Sequence, residues 1–127
     1  MNTRILMGAS AVVMAAAGVA GLFLPQEVAA ALGVSASGVL PSLLQIHAAI
    51  LLGVAMINWM AKDSLIGGIY NRPVLVGNVA HFAIGAITLL KLVAGNAAPP
   101  VIVATAIYVV FAIGFGMLLF RSPVKRE

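Results

Sequence analysis

The sequence predicts an all-α membrane protein, a bundle of four transmembrane helices that forms one domain over residues 1–127. Four apolar runs carry this prediction, at about 5–24, 43–60, 74–93 and 101–120. Each has close to the ~20 residues that a helix needs to cross a bilayer core. Charged residues make up 8% of the chain, against roughly 25% in a soluble domain. Lipid must therefore cover much of its surface.

The first run follows a basic N-terminal segment and precedes a stretch of small residues, an order that also occurs in secretory signals. The apolar core of a signal is only about 7–15 residues long, which is shorter than the run at 5–24. We therefore expect this run to be the first membrane span.

The segment 25–33, in the first outer loop, predicts a short interfacial helix. Pro25 suits its first turn, Glu27 lies where the helix dipole favours an anion, and Gly33 can end it. Its Val, Ala and Leu content favours a position on the membrane surface or over the mouth of the bundle.

Prolines lie at the edges of the later runs, at Pro41, Pro73, Pro99 and Pro100. Proline fits the first turn of a helix and disrupts its interior, so we expect continuous spans. The segment 94–100 is short, which predicts that spans three and four are antiparallel neighbours.

Charge predicts the orientation of the bundle. If all four runs cross the membrane, six of the seven basic residues lie on one side: Arg4, Lys62, Arg72, Arg121, Lys125 and Arg126. Only Lys91 lies on the other side. Lys and Arg accumulate in cytoplasmic loops, so both termini should be cytoplasmic, and Trp59, Tyr70 and Phe120 should form an aromatic belt at that boundary. The pI near 10.2 therefore reflects topology, and we expect no nucleic-acid partner.

Small residues recur along span one at a 3-4-3 spacing: Gly8, Ala11, Ala15 and Gly18. Helices in lipid associate through close packing of small residues. This helix-packing stripe predicts contact either with another span of the same chain or with an oligomeric partner. The other spans offer similar positions at Gly53, Gly77, Gly85 and Gly116.

Polar side chains are costly inside a membrane, so their depth is informative. At a rise of 1.5 Å per residue, six are expected in an outer polar cluster: Gln45, His47, Thr88, Lys91, Thr105 and Tyr108. An inner layer should contain Asn58, Asn78 and Ser10, with His81 near the midplane among apolar neighbours. The simplest role for His81 is a hydrogen bond to a neighbouring helix, and for Lys91 it is snorkelling to the surface. A cluster around His47 and Tyr108 could handle protons or bind a head group.

Several chemistries are disfavoured. The chain has no cysteine, which excludes disulfide, iron–sulfur and thiolate chemistry. His47 and His81 differ in depth by roughly 12 Å on the helical rise, too much for two axial ligands of one haem. Two histidines without an intramembrane carboxylate fall short of a zinc site, and no serine has a plausible His and acid partner. We expect no metal, no cofactor and no enzymatic activity.

The layout resembles that of small four-span bacterial membrane proteins of the DoxX-like kind. The matching parts are 23–25 (Phe-Leu-Pro) closing span one, 31–34 (Ala-Leu-Gly-Val) in the outer loop, the small-residue middle of span two and a proline-led fourth span. Where that group often has an acidic residue early in span two, this chain has Gln45 and His47. The resemblance implies a four-helix bundle in the bacterial inner (plasma) membrane and no particular chemistry.

Three functions are compatible with these features. The favoured one is a non-catalytic accessory or structural subunit that packs within a larger membrane complex or a homo-oligomer, with lipids and other membrane subunits as partners. The alternative is a binder or transporter of a small apolar or amphiphilic molecule through the cluster around His47 and Tyr108. The third is a single-histidine holder of a haem or pigment.

Overall fold

The structure, a computed structural model, describes residues 2–64 and 71–120. This part of the chain forms five helices: α1 (Thr3–Phe23), α2 (Pro25–Ala31), α3 (Leu40–Ala61), α4 (Arg72–Ala94) and α5 (Pro99–Phe120). Four of them are long and apolar enough to cross a membrane. The predicted all-α class and the presence of four helices able to span a membrane are thus confirmed for the described residues, and the length and composition of these helices indicate an integral membrane protein.

Each long helix begins two or three residues before its predicted span, because the boundary residues belong to the first turn. Pro41, Pro73 and Pro100 lie inside that turn, where the missing N–H costs nothing. The first helix begins at Thr3 because the side chain of Asn2 accepts a hydrogen bond from the Arg4 N–H at 3.1 Å.

The predicted short helix is present as α2. It begins at Pro25, has Glu27 in its first turn and ends before Gly33, whose φ of +77° lies in the left-handed region that glycine tolerates. Ala29 is fully buried, and α2 lies against α1 and α3. We call this end of the bundle the α2 end and the opposite end the Arg4 end.

The long helices associate as two antiparallel pairs, α1 with α3 and α4 with α5, and the contacts between the pairs are fewer. Within the first pair, a Cβ atom on Gly18 would lie 2.7 Å from Leu52 Cγ and 3.0 Å from the Ala48 carbonyl oxygen. The absence of a side chain at Gly18 is therefore what lets the two backbones approach so closely.

The helix-packing stripe of span one faces α3 in part. Ala11 and Gly18 are buried, and Gly8 and Ala15 are half-buried. Other glycines differ from expectation. A Cβ added to Gly53, Gly77 or Gly116 would meet no other atom within 4 Å, so these three glycines do not mark a close approach between spans of this chain.

Large apolar side chains fill the space between the pairs toward the Arg4 end. Phe82 and Phe115 are fully buried and stack with ring centroids 5.6 Å apart. A Cβ on Gly114 would lie 2.9 Å from Leu6 Cδ1, so α5 admits a side chain of α1 at this level. At the surface of this end, Arg4 Nε lies 2.8 Å from Asp63 Oδ1. The calls on Tyr70, Arg121, Lys125 and Arg126 lie outside the described residues.

Candidate functional site

A cavity of about 520 Å³ separates the two helix pairs toward the α2 end. The α1–α3 pair and α2 line one side of it, and α4 and α5 line the other. Its volume falls within the range of about 300–1,000 Å³ that is typical of small-molecule sites. Its walls are mostly apolar, and its polar side chains are His47, His81, Thr88 and Tyr108.

Glycine or alanine on each of the four long helices contributes to the wall of the cavity. These small residues are Ala17, Gly21, Ala48, Gly85 and Ala104. Toward the Arg4 end, the space between the helices is filled instead by Phe82, Phe111 and Phe115. These small residues were missed by the sequence analysis as members of a site. The sequence offers only a weak signal for them, because small residues also occur in the other half of α4 and α5, at Gly77, Ala112, Gly114 and Gly116.

Tyr108 and His81 form one unit in the cavity. The Tyr108 hydroxyl and His81 Nε2 are 3.1 Å apart, and the phenol ring also packs edge-on against Phe82 at 5.2 Å between centroids. The ring occupies the space that a side chain on Gly85 would need, since a Cβ there would collide with Tyr108 Cε1. Glycine at position 85 therefore positions the phenol.

The hydrogen bond to a neighbouring helix that we expected as the simplest role of His81 is present. The expected layers did not pair His81 with Tyr108, because they placed Tyr108 in the outer cluster with His47. The α4–α5 register puts Tyr108 level with Gly85, one helical turn from His81. The long phenol side chain spans that turn, so residues that differ in backbone depth meet at their side-chain ends.

His47 lies in the same cavity, on the wall formed by α3. Its side chain is exposed to the cavity, and within residues 2–64 and 71–120 its imidazole has no hydrogen-bond partner. A neutral imidazole offers one donor and one acceptor. His47 is therefore the polar group of the cavity with the most unused hydrogen-bonding capacity.

The structure brings together three of the six residues of the predicted outer polar cluster: His47, Thr88 and Tyr108. Thr88 donates its hydroxyl hydrogen to the Ile84 carbonyl of its own helix at 2.9 Å. The remaining three, Gln45, Lys91 and Thr105, do not line the cavity.

Those three have other roles or positions. Gln45 Nε2 donates to the Leu22 carbonyl at 3.1 Å and ties α3 to α1. Thr105 is buried and donates to the Val101 carbonyl at 2.7 Å, a bond within its own helix that the depth estimate could not anticipate. Lys91 is exposed in the last turn of α4.

The inner polar residues form a buried network that joins three helices. Asn58 Nδ2 donates to Asn78 Oδ1 at 2.7 Å, and Asn78 Nδ2 donates back to Asn58 Oδ1 at 2.7 Å. Asn58 Nδ2 also lies 3.0 Å from Ser10 Oγ, which donates to the Met7 carbonyl. All three side chains are buried and satisfied, so the network holds helices together and has no group left for a ligand.

Among the described residues, no group of three or more His, Asp or Glu side chains is arranged to hold a metal ion. His47 and His81 are the groups of the cavity that could ligate a cofactor. Comparison with protein-family models, curated proteins and solved structures found no match. The likeness to DoxX-like proteins therefore stays an expectation from the sequence and assigns no residue roles here.

Proposed function

We propose that this membrane protein binds a small amphiphilic molecule in the cavity between its two helix pairs. The observation that carries the proposal is the combination of an apolar cavity of about 520 Å³ with His47, His81 and Tyr108 in its wall. The proposal assigns no reaction to the site.

Energetic reasoning favours an occupant. Membrane helices gain stability mainly by close packing, and the apolar walls of this cavity offer the same kind of contact to an apolar chain. A polar side chain at membrane depth is costly unless it is hydrogen-bonded, and His47 has no such partner in the described part of the chain. A ligand with an apolar tail and a polar head would make these contacts and supply the hydrogen-bond partner.

The accessory-subunit function expected from the sequence has weaker support. Ala11 and Gly18 of the helix-packing stripe are buried, and Gly18 meets α3 of the same chain, so these two positions need no external helix. One observation still favours a partner, an apolar groove of about 260 Å³ between α1 and α3 that Ala15, Met56 and Trp59 line. A neighbouring helix or a lipid chain would fit such a groove.

A pair of adjacent alanines tests the binding proposal. Ala17 lines the cavity, whereas Ala16 is exposed on the same helix and does not. We expect native mass spectrometry from mild detergent to show one retained amphiphile on the wild-type chain and on Ala16→Phe, and none on Ala17→Phe. Far-UV circular dichroism checks that both variants are folded. A wild-type chain without bound amphiphile, or equal retention by both variants, contradicts the proposal.

We also propose that both termini face the cytoplasm of a bacterial cell and that α2 lies at the outer surface of the inner membrane. The support is the excess of Lys and Arg at the Arg4 end. Because the chain has no cysteine, single-cysteine variants have no background. We expect a membrane-impermeant maleimide to label Ser37→Cys in intact cells and Ser64→Cys only after permeabilisation. The reverse pattern contradicts the orientation.

A further inference from the structure

We infer that the head of the bound amphiphile is a neutral hydroxyl group that contacts His47 and the His81–Tyr108 unit, with its tail along the apolar walls. This inference rests on the proposed function, because it specifies which amphiphile the cavity accepts. It is carried by the charge and the hydrogen-bonding capacity of the groups that line the cavity.

The lining of the cavity disfavours a charged head. None of the described residues that line it is Asp, Glu, Lys or Arg. The nearest candidate by sequence, Lys91, is exposed and does not contribute to the lining. A carboxylate or an ammonium would lose its hydration without gaining an opposite charge, which is costly at membrane depth.

The His81–Tyr108 unit accommodates a group that can both donate and accept. If the phenol donates to His81 Nε2, the lone pairs of Tyr108 Oη remain free to accept from a ligand. If Nε2–H donates instead, the phenol hydrogen is free to be donated. In both tautomers an alcohol can complete the bond, whereas a carbonyl oxygen can do so only in the second.

His47 supplies a second contact of the same kind. Its neutral imidazole has one donor and one acceptor, and neither is used within the described residues. Thr88 adds acceptor lone pairs, because its hydroxyl hydrogen is already given to Ile84. A hydroxyl head therefore finds partners of both polarities in one cavity.

Three probes with the same tail test the head-group inference: tetradecanol, tetradecanoate and tetradecyltrimethylammonium. Binding to the full chain in nanodiscs is measured with radiolabelled probes, and the signal of Ala17→Phe is subtracted to remove partition into lipid. We expect tetradecanol to bind more than about tenfold tighter than either charged probe, since a charge at membrane depth costs a few kcal/mol on insertion scales.

Matched variants locate the head. Tyr108→Phe keeps the ring on Gly85 and removes only the hydroxyl, and His47→Leu removes the imidazole. Each should weaken tetradecanol binding about three- to tenfold, the value of one hydrogen bond. The control is Thr105→Val, which removes a hydroxyl from α5, the helix of Tyr108, at a position that does not line the cavity. It should leave tetradecanol binding unchanged.

The outcomes separate this inference from the proposed function. If all three probes bind equally well and above the Ala17→Phe signal, the cavity is a binding site and the head-group inference is wrong. If tetradecanoate binds tightest, an imidazole accepts a proton to pair with it, and the inference is again wrong. If no probe binds above the Ala17→Phe signal, both the proposed function and the inference fail.

Discussion

Substitution of the hydrogen-bonded amides Asn58 and Asn78 tests most directly how the two helix pairs are held together. Asn58 has no exposed surface and takes part in three side-chain hydrogen bonds with Ser10 and Asn78. Replacing Asn58 by Leu keeps a similar volume and removes all three. Ser10 keeps its bond to Met7 and Asn78 Nδ2 keeps its bond to the Val74 carbonyl, but Asn78 Oδ1 loses its partner.

The expected cost follows from these bonds. Side-chain hydrogen bonds in membrane bundles contribute on average about 0.6 kcal/mol each, so three amount to about 2 kcal/mol. The acceptor left without a partner on Asn78 adds about 1–3 kcal/mol. We therefore expect Asn58→Leu to lower the free energy of unfolding by about 3–5 kcal/mol. In the double variant Asn58→Leu/Asn78→Leu, no amide oxygen is left without a hydrogen-bond partner. The decrease in its free energy of unfolding should therefore be smaller than the sum of the decreases in the two single variants, by about 1.5 kcal/mol or more.

The assay is reversible unfolding in mixed micelles with increasing sodium dodecyl sulfate, followed by far-UV circular dichroism. Ser42→Ala, an exposed polar position on the same helix, is the control and should change the free energy of unfolding by less than about 0.5 kcal/mol. Strictly additive losses for Asn58→Leu and Asn78→Leu would refute the reasoning, because they would mean that the two amides do not stabilise each other.

Three further predictions use the same bundle. Gly18→Leu should lower the free energy of unfolding by about 1–3 kcal/mol in the same micelle assay, because the new side chain meets a backbone carbonyl of α3. The control Gly53→Ala adds a methyl group that meets no other atom and should not lower the free energy of unfolding. Equal decreases in the two variants would contradict the packing described here. Gly85→Ala should displace the ring of Tyr108 and weaken radiolabelled tetradecanol binding at least as much as Tyr108→Phe does, whereas unchanged binding would show that the ring position is unimportant. Asp63→Asn should lower the free energy of unfolding by less than about 1 kcal/mol, and this decrease should disappear at high salt, because the ion pair of Asp63 with Arg4 is exposed. A large decrease that does not depend on salt in the micelle assay would contradict this expectation.

The spans were predictable from the sequence because the constraint that determines them is local. A helix in lipid must satisfy its own backbone, so the length of each apolar run and its flanking prolines indicate the helix almost completely. The short helix α2 was predictable for a similar reason, because Pro25, Glu27 and Gly33 are start and stop signals within nine positions.

The contacts between helices were only partly predictable, because they depend on how each helix is rotated. Small residues occur on several faces of these spans, and composition does not tell which face meets a neighbour. Gly77 and Gly116 were expected at contacts and are open, whereas Gly21 and Gly114 were not singled out and are close to Ala48 and Leu6. The contact between Tyr108 and His81 depends in the same way on the α4–α5 register, which no single helix encodes.

The two kinds of contact in this bundle explain why a cavity lies at one end of it. Within each pair, glycine admits a bulky neighbour, Leu52 at Gly18 and Tyr108 at Gly85, so the two helices of each pair approach closely at these positions. Between the pairs, Asn58 and Asn78 exchange side-chain hydrogen bonds near the Arg4 end. The bonds at the α2 end lie within a pair, at Gln45 for α1–α3 and at Tyr108 for α4–α5. Separating the pairs at the α2 end would therefore break no side-chain hydrogen bond of the described residues between them, whereas separating them at the Arg4 end would break those of the amides.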